Sequence, residues 1–353
     1  MDQEYTQRLD KIEKELERWL PRELTESSLS VKWAEQVFTD TGKKTNRELI
    51  RFMLEPLREL LYRGGKRWRP LLMTIVCETL GGKDAAVPLA PIIEFTHNAS
   101  LIHDDIEDES DERRGKPAVH KTYGVDTAIN SGSFLYFLAS CCIETYGHSI
   151  GALNNNGQIF KLWSESLRKL HLGQAIDINW HRNVSLIPET DDYFLMCKLK
   201  TGSLAHLAAE LGAYAAGASP ETVHLLGDAA DMMGVGFQIL DDVKNLTTGN
   251  PGKKRGDDIV EGKKSLPVLL YMQKYPEKRD RVFYCFHVAK REGGGAPEVE
   301  ELIETLNNSG AIKEAQEKGQ SLLKEAQAVF TSCKHDNIPI NETLLDGFIK
   351  LIS

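Results

Sequence analysis

No run of about 18 apolar residues, the length a membrane-crossing helix needs, occurs anywhere in this 353-residue chain. The opening stretch MDQEYTQRLDKIEKELERWL also lacks the apolar core of a secretory signal. Neither a membrane span nor export by that route is expected. No two of the six cysteines (Cys77, Cys141, Cys142, Cys197, Cys285 and Cys333) stand at Cys-x-x-Cys spacing, and most lie among apolar residues as small hydrophobes do. Reduced cysteines and a cytoplasmic location are the expectation. Positive charge is also in short supply: 43 Lys and Arg face 52 Asp and Glu, a formal net charge of −9. A nucleic-acid partner would need a basic field that this balance does not supply. Any anionic ligand must be held by cations gathered locally.

Period-two alternation is scarce, whereas apolar residues recur every three or four positions, as from Leu49 through Met53, Leu57 and Leu60 to Leu61. The same periodicity predicts helices near 70–81, 86–109, 125–147, 157–182, 190–217, 220–246, 264–274 and 298–306, with two more towards the C-terminus. Gly81-Gly82, Asn154 to Gly157, Ser219-Pro220, Thr248 to Gly256 and Gly293 to Gly295 punctuate them. None has the composition of a domain linker, and no solenoid-length repeat or low-complexity tract occurs. With 41% hydrophobic residues the chain can bury a real core. The expectation is all-α: a single domain over 1–353, with an amphipathic helical extension over about residues 1–30.

Two acidic clusters stand out. LIHDDIEDESDERRG sets Asp104, Asp105 and Asp108 at i, i+1 and i+4, so Asp104 and Asp108 share one helix face with Asp105 beside them. Like charges at that spacing repel, and a cation relieves them. Mg²⁺ suits carboxylate oxygens and is usually shared with substrate phosphates. Taken alone, the cluster reads equally well as a solvated helix end. GFQILDDVKN then repeats the spacing with Asp241, Asp242 and Asn245 on a distant helix, which favours two carboxylate helices gripping a diphosphate through metal ions. His97 and His103 lie near the first cluster, but no His-x-x-x-His or Cys partner completes a zinc set.

Cations accompany the acids in GGKRWRP at 64–70, at Arg113-Arg114, at Lys200 in KLKTGS and in GKKRGDDIVEGKK at 252–264. Guanidinium forks and mobile ammonium groups are the usual phosphate ligands. Gly64-Gly65-Lys66 lacks the spacing and the preceding strand of a P-loop.

Together and in this order, Gly64-Gly65-Lys66-Arg67 with Arg69-Pro70, Asp104-Asp105-Ile106-Glu107-Asp108, Arg113-Arg114-Gly115 with Pro117 and His120, Lys200-Thr201-Gly202, Gly236-Phe237-Gln238 with Asp241-Asp242, and Gly262-Lys263 resemble the trans-polyprenyl diphosphate synthase family from about Gly64 to Pro267. The second motif ends in Asn245 where many relatives carry Asp. That form, with DDIED, TAINSGSFLYF and LHLGQAIDINW, is most similar to the eukaryotic-type (type III) geranylgeranyl diphosphate synthases.

The resemblance implies an isoprenoid-synthase helical bundle with a central active-site cavity, usually homodimeric, and about three Mg²⁺ ions. Asp104, Asp105, Asp108, Asp241 and Asp242 would serve the metals. Arg113, Lys200, Lys253 and Lys263 would hold the allylic diphosphate, and Lys66, Arg69, His97 and Arg114 isopentenyl diphosphate. Thr201, Phe237 and Gln238 would support the carbocation. Ala99 and Ser100, small residues a helical turn before Asp104, leave a tail tunnel open, and Tyr136, Phe137 and His171 are candidates for its floor, favouring a C20 product. The alternatives are a C15 or longer product, a class I terpene cyclase and a non-catalytic partner subunit.

Overall fold

The computed structural model describes residues 3–25, 28, 32–35, 42, 46–149, 155–183, 185–249, 254–333 and 342–352. The chain forms two compact units. The first is built from residues up to 162 with 211–218, and the second from 163–210 and from 219 onward.

The first unit holds α1 (Gln3–Trp19), α2 (Arg47–Leu61), α3 (Trp68–Thr79), α4 (Ala90–Glu107), a hairpin of β1 (Glu112–Arg113) and β2 (Lys116–Pro117), α5 (Val119–Tyr123) and α6 (Val125–Ser149). α7 (Asn155–Arg182) and α9 (Ser203–Ala215) are counted with the second unit, to which most of their residues belong. That unit adds α8 (Thr190–Cys197), a π-helical turn over Lys198–Gly202, α10 (Pro220–Thr247), α11 (Asp257–Val260), α12 (Leu266–Lys274), α13 (Arg279–Glu292), α14 (Pro297–Asn308), α15 (Ala311–Ser332) and α16 (Glu342–Ile352). Among the described residues, strand pairing is confined to β1 and β2, and no helix is long and apolar enough to cross a membrane.

Capping chemistry sets the helix starts. Asn46 accepts from the Leu49 amide ahead of α2, and Ser219 accepts from the Thr222 amide ahead of α10, whose first residue is proline. Glu189 and Asp192 form a reciprocal capping box on α8. The amphipathic α1 buries Ile12 and Leu16, and its Arg8 and Lys11 pair with Glu78 and Asp84. In the second unit α10 and α15 cross closely: a Cβ on Gly236 would stand 2.9 Å from the Gly319 carbonyl oxygen. The structure differs from the sequence expectation in several places. A π turn interrupts the helix expected over 190–217, α13 and the short α5 and α11 form where no helix is expected, and the hairpin follows the first acidic cluster.

Candidate active site

In the first unit the chain after α4 turns back on itself. Arg114 and Gly115 both adopt positive φ, 55° and 71°, between strands that pair Glu112 with Pro117 and Arg113 with Lys116. Two consecutive left-handed residues make the tight turn that suits a two-residue hairpin. The turn sends neighbouring arginines to different partners. Arg113 Nε donates to Asp105 Oδ1 at 2.7 Å and its Nη2 to Asp104 Oδ2 at 3.0 Å. Arg114 Nη1 donates to the Leu60 carbonyl at 3.0 Å, and its guanidinium lies against Gly65, where a Cβ would approach Nη2 to 3.1 Å.

Asp105 is fully buried, and burial lifts its carboxyl to about 6 against the pull of Arg113. Its Oδ2 is buried with no hydrogen-bond partner among the described residues. A hard cation would satisfy that orphaned carboxylate oxygen, so the cluster fits Mg²⁺. Asp104 and Asp108 lie half-buried beside it.

Three of the four residues expected to hold isopentenyl diphosphate form a cationic cluster in the same unit. Arg69 is 8% exposed and has no carboxylate partner among the described residues; its Nη1 lies 3.3 Å from His97 Nε2, and its guanidinium covers the Trp68 ring at 4.3 Å. Burial and the nearby Arg114 draw Arg69 down to about 10, with Glu94 resisting, and burial draws Arg114 to about 10 as well. Burial, then Arg69 and Arg114, hold His97 well below its usual value, so it is neutral. Lys66 is exposed. Arg67 contrasts with all of these: it is buried in a left-handed conformation and paired with both Glu13 (2.7 Å) and Glu94 (2.8 Å).

In the second unit the π turn presents Lys200 and Thr201. Lys200 Nζ donates to Asp177 Oδ2 at 2.6 Å, and the backbone of Lys200 comes so near α7 that a Cβ on Gly173 would stand 2.4 Å from its nitrogen. Thr201 Oγ1 donates to Gln238 Oε1 (2.7 Å), Gln238 Nε2 donates to Asp242 Oδ1 (2.9 Å), and Tyr193 Oη donates to Asp242 Oδ2 (2.7 Å). Burial and the nearby Asp258 lift Asp242 to about 7. Both Asp242 oxygens are thus engaged by protein donors, while Asp241 and Phe237 are half-buried.

Asn245 serves as a backbone anchor. Its Oδ1 accepts from the Asp258 amide at 3.2 Å and its carbonyl from the Gly256 amide at 2.9 Å, which fixes the start of α11. Lys263 pairs with Glu261 at 2.6 Å and Asp258 at 3.5 Å. Lys253 lies outside the described residues. Sequence reasoning passed over Asp177, Tyr193 and Asp258. Asp258 stood inside the 252–264 stretch read for its lysines.

Of the chain-length candidates, Ala99 is fully buried, and Ser100 Oγ donates to the His97 carbonyl at 2.8 Å. Tyr136 packs its ring on His103, with centroids 5.7 Å apart. Phe137 is 67% exposed, and His171 is exposed with Nδ1 2.8 Å from the Leu167 carbonyl of its own helix. Neither lies on a buried wall of the single chain.

The polyprenyl synthetase family model matches residues 50–306. Geranylfarnesyl diphosphate synthase of Aeropyrum pernix is 33% identical over 278 residues, covering 77% of this chain and 85% of that protein. Geranylgeranyl diphosphate synthase of Sulfolobus acidocaldarius is 31% identical over 260 residues, covering 72% and 76%. The crystal structure of geranylgeranyl pyrophosphate synthetase from Pyrococcus horikoshii superposes with a TM-score of 0.75 at 27% identity, over 97% of this chain and 98% of that one. The chain belongs to the polyprenyl synthetase family, the trans-polyprenyl diphosphate synthases, and has their all-α isoprenoid-synthase fold. It is a trans-prenyltransferase, of a family that uses Mg²⁺ to join isopentenyl diphosphate to allylic diphosphates.

Proposed function

We propose that the chain is a geranylgeranyl diphosphate synthase, building a C20 product by ionisation of an allylic diphosphate, condensation with isopentenyl diphosphate and elimination of a proton. The observation that carries the reading is the cluster of Arg69, Arg114 and neutral His97. Two guanidinium groups, Arg69 buried and Arg114 half-buried, share only the field of Glu94, which is already paired with Arg67; this leaves capacity for an anion, and a diphosphate supplies it with bidentate acceptors. Exposed Lys66 joins them as a mobile charge.

Asp104, Asp105, Asp108 and Asp241, with Asp242 as a supporting member, would hold Mg²⁺, about three ions in all. Bound there, Mg²⁺ supplies Lewis acidity that neutralises the departing diphosphate. Arg113 and Lys200 hold the allylic diphosphate oxygens and stabilise the charge that develops on them as the C–O bond breaks. The Thr201–Gln238 dipoles and the Phe237 ring face the allylic cation, the isopentenyl double bond attacks it, and the released diphosphate takes the proton.

The C20 assignment is supported by Ala99 and Ser100, whose small side chains add no bulk on that face of α4, and by Tyr136. That ring packs on His103, which shares a helix face with Ala99 and Ser100. A single functional domain is supported by a family match whose residues belong to both compact units. A homodimeric, cytoplasmic enzyme completes the proposal.

The test incubates the protein with Mg²⁺, isopentenyl diphosphate and C5, C10 or C15 allylic diphosphate in turn, then sizes the products. A dominant C20 product is expected. Longer products overturn the Tyr136 floor and leave the chemistry standing. Cyclised hydrocarbon, or no elongation, overturns the synthase reading.

A further inference from the structure

α9 and α10 carry a second set of ligating side chains that the condensation does not use. His206 and Glu210 stand at i and i+4 on α9; His224, Asp228 and Asp231 stand at i, i+4 and i+7 on α10, so each row lies along one helix face. His206 and Asp231 are buried, and Asp228 is exposed. One ligand atom from each of these three lies within 4.8 Å of the others. His206 Nδ1 is 3.1 Å from Asp231 Oδ2, His206 Nε2 is 3.2 Å from Glu210 Oε1, and His224 Nδ1 is 3.3 Å from the same Glu210 oxygen. Two glycines keep the space clear: a Cβ on Gly227 would stand 2.8 Å from His206 Nε2, and one on Gly202 3.1 Å from Asp231 Oδ1. Ser203, one turn before His206, has a buried hydroxyl without a partner among the described residues.

We propose that His206, Asp228 and Asp231 form a binding site for a divalent cation of the Zn²⁺ type, separate from the aspartate-rich motifs. Glu210 accepts from His206 Nε2–H and Asp231 from Nδ1–H; burial pulls the imidazole down, but these two carboxylates raise it above its ordinary value, to about 9. A divalent ion bound at Nδ1 takes the place of that proton and of its charge between the carboxylates. A carboxylate that fixes the far nitrogen of a metal-ligating imidazole is the usual outer partner of such sites. The 3.1 Å separation is near the roughly 3.4 Å expected between two donors about 2.0–2.1 Å from a tetrahedral Zn²⁺. Exposed Asp228 closes the set by a rotamer change. Lys198, whose Nζ lies 3.3 Å from Asp231 Oδ2, is the competing cation, and its half-exposed side chain can swing aside. One imidazole with two carboxylates favours Zn²⁺, whereas Mg²⁺ prefers all-oxygen octahedral sites. The bound cation ties α9 to α10 next to the turn that carries Lys200 and Thr201.

The experiment is equilibrium dialysis of the full chain against micromolar Zn²⁺ with excess Mg²⁺ present to occupy the aspartate-rich motifs. One equivalent of Zn²⁺ is expected. Glu210→Gln should weaken it by about 10- to 100-fold, and His206→Ala should abolish it. Asp228→Asn decides the matter if His206→Ala does not fold, because residue 228 is on the surface, and it should weaken binding at least tenfold. No bound Zn²⁺, or one equivalent unchanged in Asp228→Asn, overturns the site and leaves an ion-pair network only. The assay requires no condensation activity, so it succeeds or fails independently of the proposed synthase reading.

Discussion

Replacing Arg69 with methionine should leave the stability of the free protein nearly unchanged while crippling its use of isopentenyl diphosphate. Arg69 is buried beside a neutral histidine and a tryptophan ring. The fall of its guanidinium from the usual 12.5 to about 10 corresponds to roughly 3 kcal/mol of strain on the charged form. Methionine removes that strain and fills much of the volume. It gives up a cation–π contact of about 2 kcal/mol, because the group is desolvated, and a hydrogen bond of about 1 kcal/mol. Losses and gain offset each other, so Tm should move by less than about 2 °C. Binding responds far more. A charge-assisted bond to diphosphate contributes about 1.5–3 kcal/mol, so KM for isopentenyl diphosphate should rise roughly 10- to 150-fold, with the allylic KM nearly unchanged. Thermal unfolding with and without isopentenyl diphosphate, alongside steady-state kinetics, reads both effects. A variant that melts several degrees lower and keeps its KM would show that Arg69 is a structural cation, refuting the anion-site reasoning.

Three further outcomes follow from particular contacts. Gly173→Ala must push the Lys200 backbone aside from 2.4 Å; a displacement approaching 1 Å is expected to lower kcat by about 100-fold, and an unchanged kcat would show that the π turn tolerates the shift. Burial pushes the Asp177 carboxyl up, but Lys200 and then His181 hold it well below the usual range. Its stabilisation is therefore complete above the unfolded value of about 3.9 and lost as pH falls through the folded one. Melting curves from pH 5 downward should decline less steeply in Asp177→Asn than in the native chain. Tyr136→Ala removes the ring packed on His103, and chromatography of the products should show at least one added C5 unit; an unaltered product distribution would dismiss Tyr136 as the floor.

Much of the site could be read before any coordinates, because its chemistry depends on spacing within single helices. Asp104, Asp105 and Asp108 needed only the 3.6-residue period to be seen as a cluster, and the cations beside them needed only proximity in sequence. What stayed hidden depends on contacts between segments distant in the chain. Asp177, Tyr193 and Asp258 look like ordinary residues until folding sets Asp177 under Lys200, Tyr193 on Asp242 and Asp258 against Asn245. Asn245 is the clearest case: its sequence position pointed to metal chemistry in doubt, and its side-chain oxygen proves to be occupied by a backbone amide. α13 escaped notice because VFYCFHV reads locally as a run of strand-favouring side chains; Val282, Cys285, Phe286 and Ala289 nonetheless bury one helical face. The hairpin strands, two residues each, are too short to show alternation.

The two-residue turn at Arg114-Gly115 has an evolutionary corollary. Its neighbouring arginines answer to opposite clienteles, one an acidic cluster and the other a cationic cluster. Their Cα atoms are joined by one peptide bond, about 3.8 Å long from Cα to Cα. That bond works as a ruler. An insertion or deletion there could not relocate one arginine without dragging the other, so drift in this segment should proceed by exchanging side chains at constant length, while the exposed loops absorb the changes in chain length.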